Sequence, residues 1–330
     1  MINITFPDGS KKAFEEGITG LEIARTISPR LAKEVLAVQV DDEIWDATRP
    51  IHKDAKIKLL TWDDPWGKYT FWHSSAHLMA EAIQSVFPGV KFTIGPPVEH
   101  GFYYDIDLGD YQITNEDLAK LEEKMRELAR QKNRYQRKEV TKEEAASFYQ
   151  QEGNEYKLEL IDELEDGTIT FYTQGSFTDL CRGPHLPDTS YIKAIKLLNI
   201  AGAYWRGDEK NPQLTRVYGI TFPKQKMLEE YLHMLEEAKK RDHRKLGREL
   251  QLFTFDDDIG PGLPLWLPRG AVIIEELEKL AKETERKAGY VRVRTPHIAK
   301  ENLYITSGHL PYYKDSMFPP MEMEGSTYYL

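Results

Sequence analysis

Apolar and polar residues alternate through the opening INITF and again through LAVQV and IKLL, which predicts strands. A Pro-Asp-Gly turn at Pro7 to Gly9 closes off the first strand, and Ile18 to Ile27 reads as a short helix. Residues 1–61 therefore form a small α+β module of hairpin, helix and further strands. The segment WDDPWG, Trp62 to Gly67, has the proline and glycine of a linker. Residues 62–223 read as a second α+β unit. It holds a helix over His73 to Val86, a loop IGPPVEHGFYYDID, a basic helix, and strands at FYTQ and AIKLLNIAGAYW. After Pro223, Leu228, Leu232 and Leu235 recur at helical spacing, which predicts one long helix over 224–247 with Gly247 as its C-cap. Residues 248–330 open a third unit, with an amphipathic AVIIEELEKLAKETERKAG, a strand VRVRTPHI and a closing MEMEGSTYYL that reads as an unfinished hairpin.

At 330 residues, 40% hydrophobic and 30% charged, the chain has the length of several domains and the composition of globular proteins. The N-terminal stretch lacks the basic then apolar pattern of a secretion signal, and no apolar run reaches membrane-spanning length, so cytoplasm is the expected compartment and no membrane partner is expected. The single cysteine, Cys181, cannot form an internal disulfide and directs attention to thiol or metal chemistry. A balance of 44 basic against 54 acidic residues, −10 overall, argues mildly against nucleic acid. Two local runs depart from it: Lys124 to Lys138 carries seven basic residues against one Glu, and Lys239 to Arg248 carries six against one Asp. Both are helical in period. A solvated helix face explains such a run when it stands alone, and contact with an RNA backbone is the alternative.

The chemistry-bearing residues come in two pairs. His73 and His77, in HSSAH, are four apart on a predicted helix and so share one face. Ser74 stands where a zinc protease of the HExxH kind needs its Glu, which disfavours that chemistry. Cys181 and His185, in TDLCRGPH, are again four apart, held in a Gly-Pro turn. One Cys and three His make a complete tetrahedral zinc set, so a metal is chemically plausible.

HSSAH, DLCRGPH and the loop IGPPVEHGFYYD together resemble the editing domain shared by threonyl- and alanyl-type tRNA synthetases. The linker KKRDHRKLGREL, the stretch GPGLPLWLPRGAVIIEELE, VRVRTPHI with Pro296 of class II motif 1, and SGHLPYYKDSMFPPMEMEG resemble the threonyl branch. Residues 1–61 look like the ubiquitin-like β-grasp (TGS) domain at the start of those enzymes. The resemblance covers nearly the whole chain. It implies an α+β multidomain fold: β-grasp at 1–61, editing domain at 62–223, linker helix at 224–247, and the start of a class II antiparallel-sheet catalytic domain at 248–330.

For the full-length enzyme the resemblance implies ligation of threonine to tRNA(Thr), with Mg-ATP, a catalytic zinc and a homodimer. The family's motif 2, motif 3 and catalytic zinc ligands are expected beyond Leu330, so aminoacylation by these residues alone is not expected. The chain's own site is expected to hydrolyse mischarged seryl-tRNA(Thr). Serine and threonine differ by one methyl, worth only about 1–3 kcal/mol in a binding pocket, so a second sieve that admits the smaller residue is needed. The resemblance carries His73, His77, Cys181 and His185 over as the core of that site. It carries Lys157 as a charge that places substrate, Asp179 as a residue that holds the site, and Tyr104 as a lining for the pocket or the tRNA end. The alanyl relatives hold zinc at matching positions, whereas the threonyl branch is expected to edit through water organised by side chains, with no cofactor.

Overall fold

The computed structural model describes residues 1–330, which form two compact units, Met1–Glu236 and Glu237–Leu330. In the first, β1 (Ile2–Thr5) and β2 (Lys11–Phe14) make the predicted hairpin. The short β3 (Ile18–Thr19) leads into α1 (Gly20–Ile27) and α2 (Pro29–Glu34). Thr19 and Glu22 exchange the side-chain and backbone hydrogen bonds of a capping box, which fixes where α1 begins. Then come β4 (Ala37–Val40), β5 (Glu43–Asp46), β6 (Pro50–Ile51) and β7 (Ala55–Leu60). The sheet order is β2-β1-β7-β4-β5, parallel only between β1 and β7. Ile2, Ile4, Ile23, Val38, Ile51 and Ile57 fill the space between sheet and α1. This is the expected β-grasp module.

No extended linker comes after it. Helix α3 (Pro65–Val86) starts inside WDDPWG, with Pro65 in the first turn, where its missing N–H is no loss. A Cβ on Gly67 would stand 1.8 Å from the Thr61 carbonyl oxygen, so the glycine lets α3 begin tight against the end of β7. Trp62 packs edge-on against Phe71 and Trp72, with ring centroids 5.0 and 5.7 Å apart. Proline and glycine here start a helix and permit a close approach; they do not loosen the chain.

Helix α3 is buried on nearly every side from Thr70 to Ile83. It lies against an antiparallel sheet in which β8 (Lys91–Phe92) and β9 (Pro97–Val98) both pair with β10 (Gly101–Asp107). Helix α4 (Asn115–Arg130) covers another face of α3. The basic run 124–138 is helical only as far as Arg130. Lys132 then takes a left-handed φ of 59°, and Gln136–Glu139 becomes β11, paired with β12 (Thr170–Gln174) and, beyond it, β13 (Phe177–Leu180). Helices α5 (Lys142–Gln151) and α6 (Glu155–Asp162) enclose a small core with this sheet. The long strands β14 (Ala194–Tyr204) and β15 (Gln213–Phe222) complete the unit's main sheet.

The predicted single helix over 224–247 is two, α7 (Gln225–Lys240) and α8 (His243–Glu249). Asp242 breaks it by accepting the Arg244 N–H at 2.8 Å as an N-cap. Gly247 lies within α8, buried where a Cβ would meet the Phe253 ring at 2.4 Å, and is not a C-cap. In the second unit, β16 (Phe253–Thr254) pairs with β17 (Leu265–Trp266), and α9 (Pro268–Lys287) comes next. Beyond it lie β18 (Ala299–Lys300), α10 (Glu301–Thr306), β19 (Met321–Met323) and β20 (Ser326–Tyr329). The closing hairpin is present as β19–β20, and β18 adds to it in antiparallel fashion. VRVRT is not a strand: Val291 and Val293 are 86% and 75% exposed, and no neighbouring strand offers hydrogen bonds to the segment.

Candidate functional site

Helix α3 presents His73 and His77 one turn apart, and the loop leaving β13 brings Cys181 and His185 to the same face. One ligating atom from each of the four lies within 4.8 Å of all the others. Cys181 Sγ is 3.2 Å from His73 Nε2 and 3.2 Å from His185 Nε2. The His73 and His185 rings stack at 4.3 Å, and His77 stands 4.3 Å from His185. His77 and His185 are buried; His73 and Cys181 are partly exposed and form the open side of the cluster.

Neighbours fix two tautomers. His73 Nδ1 faces the Pro184 carbonyl at 3.3 Å, which only accepts, so Nδ1 carries the proton. Ser74 Oγ donates to the Thr70 carbonyl and accepts the Leu186 N–H, so its 3.1 Å contact with His185 Nδ1 is an N–H donation from the ring. In both imidazoles Nε2 is then a lone pair, and both lone pairs converge on one sulfur. A thiol has one proton and satisfies one of them. His77 Nδ1 is buried with no hydrogen-bond partner. Burial lowers His73 from 6.5 to about 4 and His77 to about 3, sets His185 well below the usual range, and pushes the Cys181 thiol up. At neutral pH the four side chains are uncharged and rich in lone pairs.

Such a set fits a zinc ion. Tetrahedral zinc holds nitrogen at about 2.0–2.1 Å and sulfur at about 2.3 Å, which places the ligand atoms of one Cys and three His roughly 3.3–3.6 Å apart. The two 3.2 Å separations would widen by a few tenths of an ångström, and the widest, within 4.8 Å, would close by about one. The orphaned His77 nitrogen and the two converging lone pairs are the groups a cation would satisfy. Pro184 and Ser74 already orient two of the rings from behind.

Behind the cluster, Asp179 on β13 gathers four groups. Its carboxylate pairs with Lys157 Nζ at 2.5 Å, lies 3.8 Å from His77 Nε2, and accepts hydrogen bonds from the Tyr104 and Tyr149 hydroxyls, the latter at 3.2 Å. Burial would raise the Asp179 carboxyl, but the Lys157 ammonium and the hydrogen bonds outweigh it and hold it below the ordinary value. Two expectations change here. Lys157, expected to place substrate charge, is 2% exposed and spends its ammonium on Asp179. Tyr104, expected to line the pocket or the tRNA end, is 1% exposed with its hydroxyl on the same carboxylate. A lone buried charge is costly, so each of these polar groups requires the others. Asp179, expected to hold the site, is the carboxylate on which Lys157, Tyr104 and Tyr149 meet beside His77.

Sequence reasoning missed the groups that orient the cluster. Ser74 stood in plain view inside HSSAH but carried no signal beyond the absence of a Glu. Tyr135 stacks on His185 at 5.0 Å with rings nearly parallel, Tyr172 lies 4.5 Å from it, and Asp46 accepts the His185 N–H at 2.6 Å. Nothing local in the sequence marks any of the three. Ion pairs within the chain engage three of the seven basic residues of the first run and four of the six of the second, Arg241 with Glu237 among them. Lys124, Arg126 and Arg137 meet Glu127, Glu122 and Glu139, while Lys240, Arg244 and Lys245 meet Glu237, Asp242 and Glu249.

Comparison with known proteins places two family models on the chain. The TGS domain matches residues 2–61, and the threonyl and alanyl tRNA synthetase second additional domain matches residues 169–218, a span that includes Cys181 and His185. A threonine–tRNA ligase of Cytophaga hutchinsonii is 58% identical over 317 residues, which are 96% of this chain and 49% of that protein. Another, from Porphyromonas gingivalis, is 57% identical over 333 residues, 100% of this chain and 51% of that protein. The chain spans about half the length of the curated relatives it matches. A solved structure of the RNA binding domain of threonyl-tRNA synthetase from Cryptosporidium parvum is 40% identical over 27% of this chain and 22% of that one, with a TM-score of 0.26.

Proposed function

We propose, from the 57–58% identity to threonine–tRNA ligases over about half of their length and from the two matching family models, that the chain belongs to the threonyl-tRNA synthetase family and that the cluster of His73, His77, Cys181 and His185 hydrolyses the ester bond of seryl-tRNA(Thr). The single observation that carries this reading is the convergence of those four side chains on one spot, open only at His73 and Cys181. Ester hydrolysis needs a water held in line with the carbonyl and a donor or cation near the developing oxyanion. His73, held in one tautomer by Pro184, offers a neutral Nε2 that accepts a hydrogen bond from such a water. Its low basicity suits orienting the water and accepting its proton only as the bond to carbon forms. Asp179 and Lys157 support the arrangement from behind. Serine is admitted and threonine excluded by the room left for one methyl.

A bound zinc at the four residues would supply Lewis-acid polarisation or a more acidic water. A closed set of four ligands leaves no open position, which favours a structural role for such an ion. Zinc content of the purified chain by elemental analysis separates the two arrangements.

For the whole protein we propose the family activity: threonine, Mg-ATP and tRNA(Thr) as substrates, a catalytic zinc outside these residues, a homodimer, and the cytoplasm as compartment. No helix is long and apolar enough to cross a membrane. The division we propose is 1–61 for the β-grasp module, 62–223 for editing, 224–247 for the connecting helices and 248–330 for the opening of the catalytic domain. The test is deacylation of seryl- and threonyl-tRNA(Thr) by the chain and by His73→Ala. The seryl ester should be preferred, and His73→Ala should lose about a hundredfold in rate with little change in tRNA binding. Equal hydrolysis of both esters, or a wild-type rate in the variant, sinks the assignment.

A further inference from the structure

The β-grasp module reaches into the cluster through one side chain. Asp46 ends β5, the edge strand of the grasp sheet, and is 7% exposed. Its Oδ1 accepts the backbone N–H of His185 at 2.6 Å, and its Oδ2 accepts the Tyr172 hydroxyl at 2.8 Å. Tyr172 lies on β12 with its ring 4.5 Å from the His185 imidazole. The loop hugs that tyrosine closely: Gly183 has φ +73°, and a Cβ there would stand 2.2 Å from the Tyr172 hydroxyl oxygen. One carboxylate thus grips both the backbone that carries His185 and the ring against which its imidazole rests. From the opposite side Ser74 Oγ takes the His185 Nδ1–H and the Leu186 N–H. His185 is held between a helix of one module and a strand of the other.

We propose that Asp46 is a positioning residue of the hydrolytic site, through which the β-grasp module sets the place of the His185 imidazole and, with it, the rate of ester hydrolysis. This rests on the hydrolytic reading of the cluster. The plain alternative is that Asp46 merely docks one module on the other. A second cross-module hydrogen bond offers the control, because the Tyr191 hydroxyl donates to the Ala32 carbonyl at 3.3 Å without touching the cluster.

The experiment compares Asp46→Ala, Asp46→Asn and Tyr191→Phe in the 330-residue chain. It reads seryl-tRNA(Thr) deacylation as kcat and KM, and the imidazole nitrogen resonances of His185 in histidine-labelled protein. Asp46→Ala should lower kcat about tenfold to a hundredfold, as loss of an outer-shell partner does. KM should hold, and the His185 nitrogen signals should shift or broaden. Asp46→Asn keeps an oxygen for the His185 N–H and a donor for the Tyr172 oxygen, so it should restore most of the rate. Tyr191→Phe should match wild type in both readouts. If Asp46→Ala fails to fold, Tyr172→Phe, which removes one of the two hydrogen bonds and no charge, should give a smaller loss of kcat with the same nitrogen shift. A wild-type kcat with undisturbed His185 signals in Asp46→Ala overturns the proposal, as does an equal loss in Tyr191→Phe. If the wild-type chain is inactive on seryl-tRNA, the hydrolytic reading falls by itself. The nitrogen signals then decide alone: a shift in Asp46→Ala but not in Tyr191→Phe supports the placement, and no shift overturns it.

Discussion

Replacing Lys157 with Met tests whether its ammonium serves the fold or the substrate. Lys157 and Asp179 pair at 2.5 Å with side chains only 3% and 5% exposed, so the substitution strands a carboxylate in the interior. Removing one partner of a buried pair costs about 3–5 kcal/mol. The Tyr104 and Tyr149 hydroxyls still donate to Asp179, which places the loss toward the lower end, about 3 kcal/mol. For a unit of this size that corresponds to a fall in Tm of roughly 6–12 °C. Asp179→Asn should cost a similar amount, because it strands the ammonium instead. The double variant Lys157→Met/Asp179→Asn removes both charges and should cost less than the sum by about 2 kcal/mol or more, the mark of direct coupling. The pH dependence carries a sign. In the wild type the Asp179 carboxyl is held below its ordinary value, so its contribution is present above the unfolded pKa and is lost as pH falls through the folded one. Without Lys157, burial governs the carboxyl and raises it, so protonation relieves the variant. The stability gap between wild type and Lys157→Met should therefore narrow as pH falls from 7 to about 4. Calorimetry of the four proteins measures this, resolving the unfolding of the unit that holds the pair. A Lys157→Met protein with wild-type Tm but no hydrolysis would refute the reasoning and return the ammonium to the substrate.

Two more outcomes rest on the same geometry. The buried His77 and His185 are held far below 6.5, so under that pH the unfolded chain takes up protons that the folded chain refuses. Each should erode stability by up to about 1.4 kcal/mol per pH unit between roughly 6 and 4.5 in chelator-treated protein, and a Tm that stays flat over that range contradicts the assigned neutral forms. Gly67→Ala places a Cβ 1.8 Å from the Thr61 carbonyl oxygen and should cost about 1–3 kcal/mol by forcing α3 away from β7; a thermal melt that matches wild type would show the junction to be slack.

How much of this was legible in the sequence depends on how far each interaction reaches along the chain. The β-grasp strands and the closing hairpin are given by periodicity, because hydrogen bonds and burial there repeat every two residues, whereas the HSSAH helix is buried nearly all round and is legible from its apolar length and not from a face. Pro65 and Gly67 were visible too, but the same two residues serve a loose linker and a helix start pressed against a carbonyl. Only the position of Thr61 in space separates those uses. VRVRT alternates as a strand should, yet alternation supplies a face and not a neighbour, and a strand needs both.

The site divides along the same line. His73 with His77, and Cys181 with His185, could be found because a spacing of four places each pair on one face or in one turn. What could not be found is the buried polar scaffold, since its members lie 126 residues apart for Tyr172 and Asp46 and 75 for Asp179 and Tyr104. Lys157 shows why this matters for function. Alone in NEYKLEL it is a lysine on a helix, free to meet a substrate. Once Asp179 is buried beside His77, an unpaired carboxylate there would cost several kcal/mol, and the lysine is the nearest means of removing that cost. The residue type announces charge, but whether the charge works outward on a ligand or inward on the fold is decided by burial, which a linear pattern does not encode.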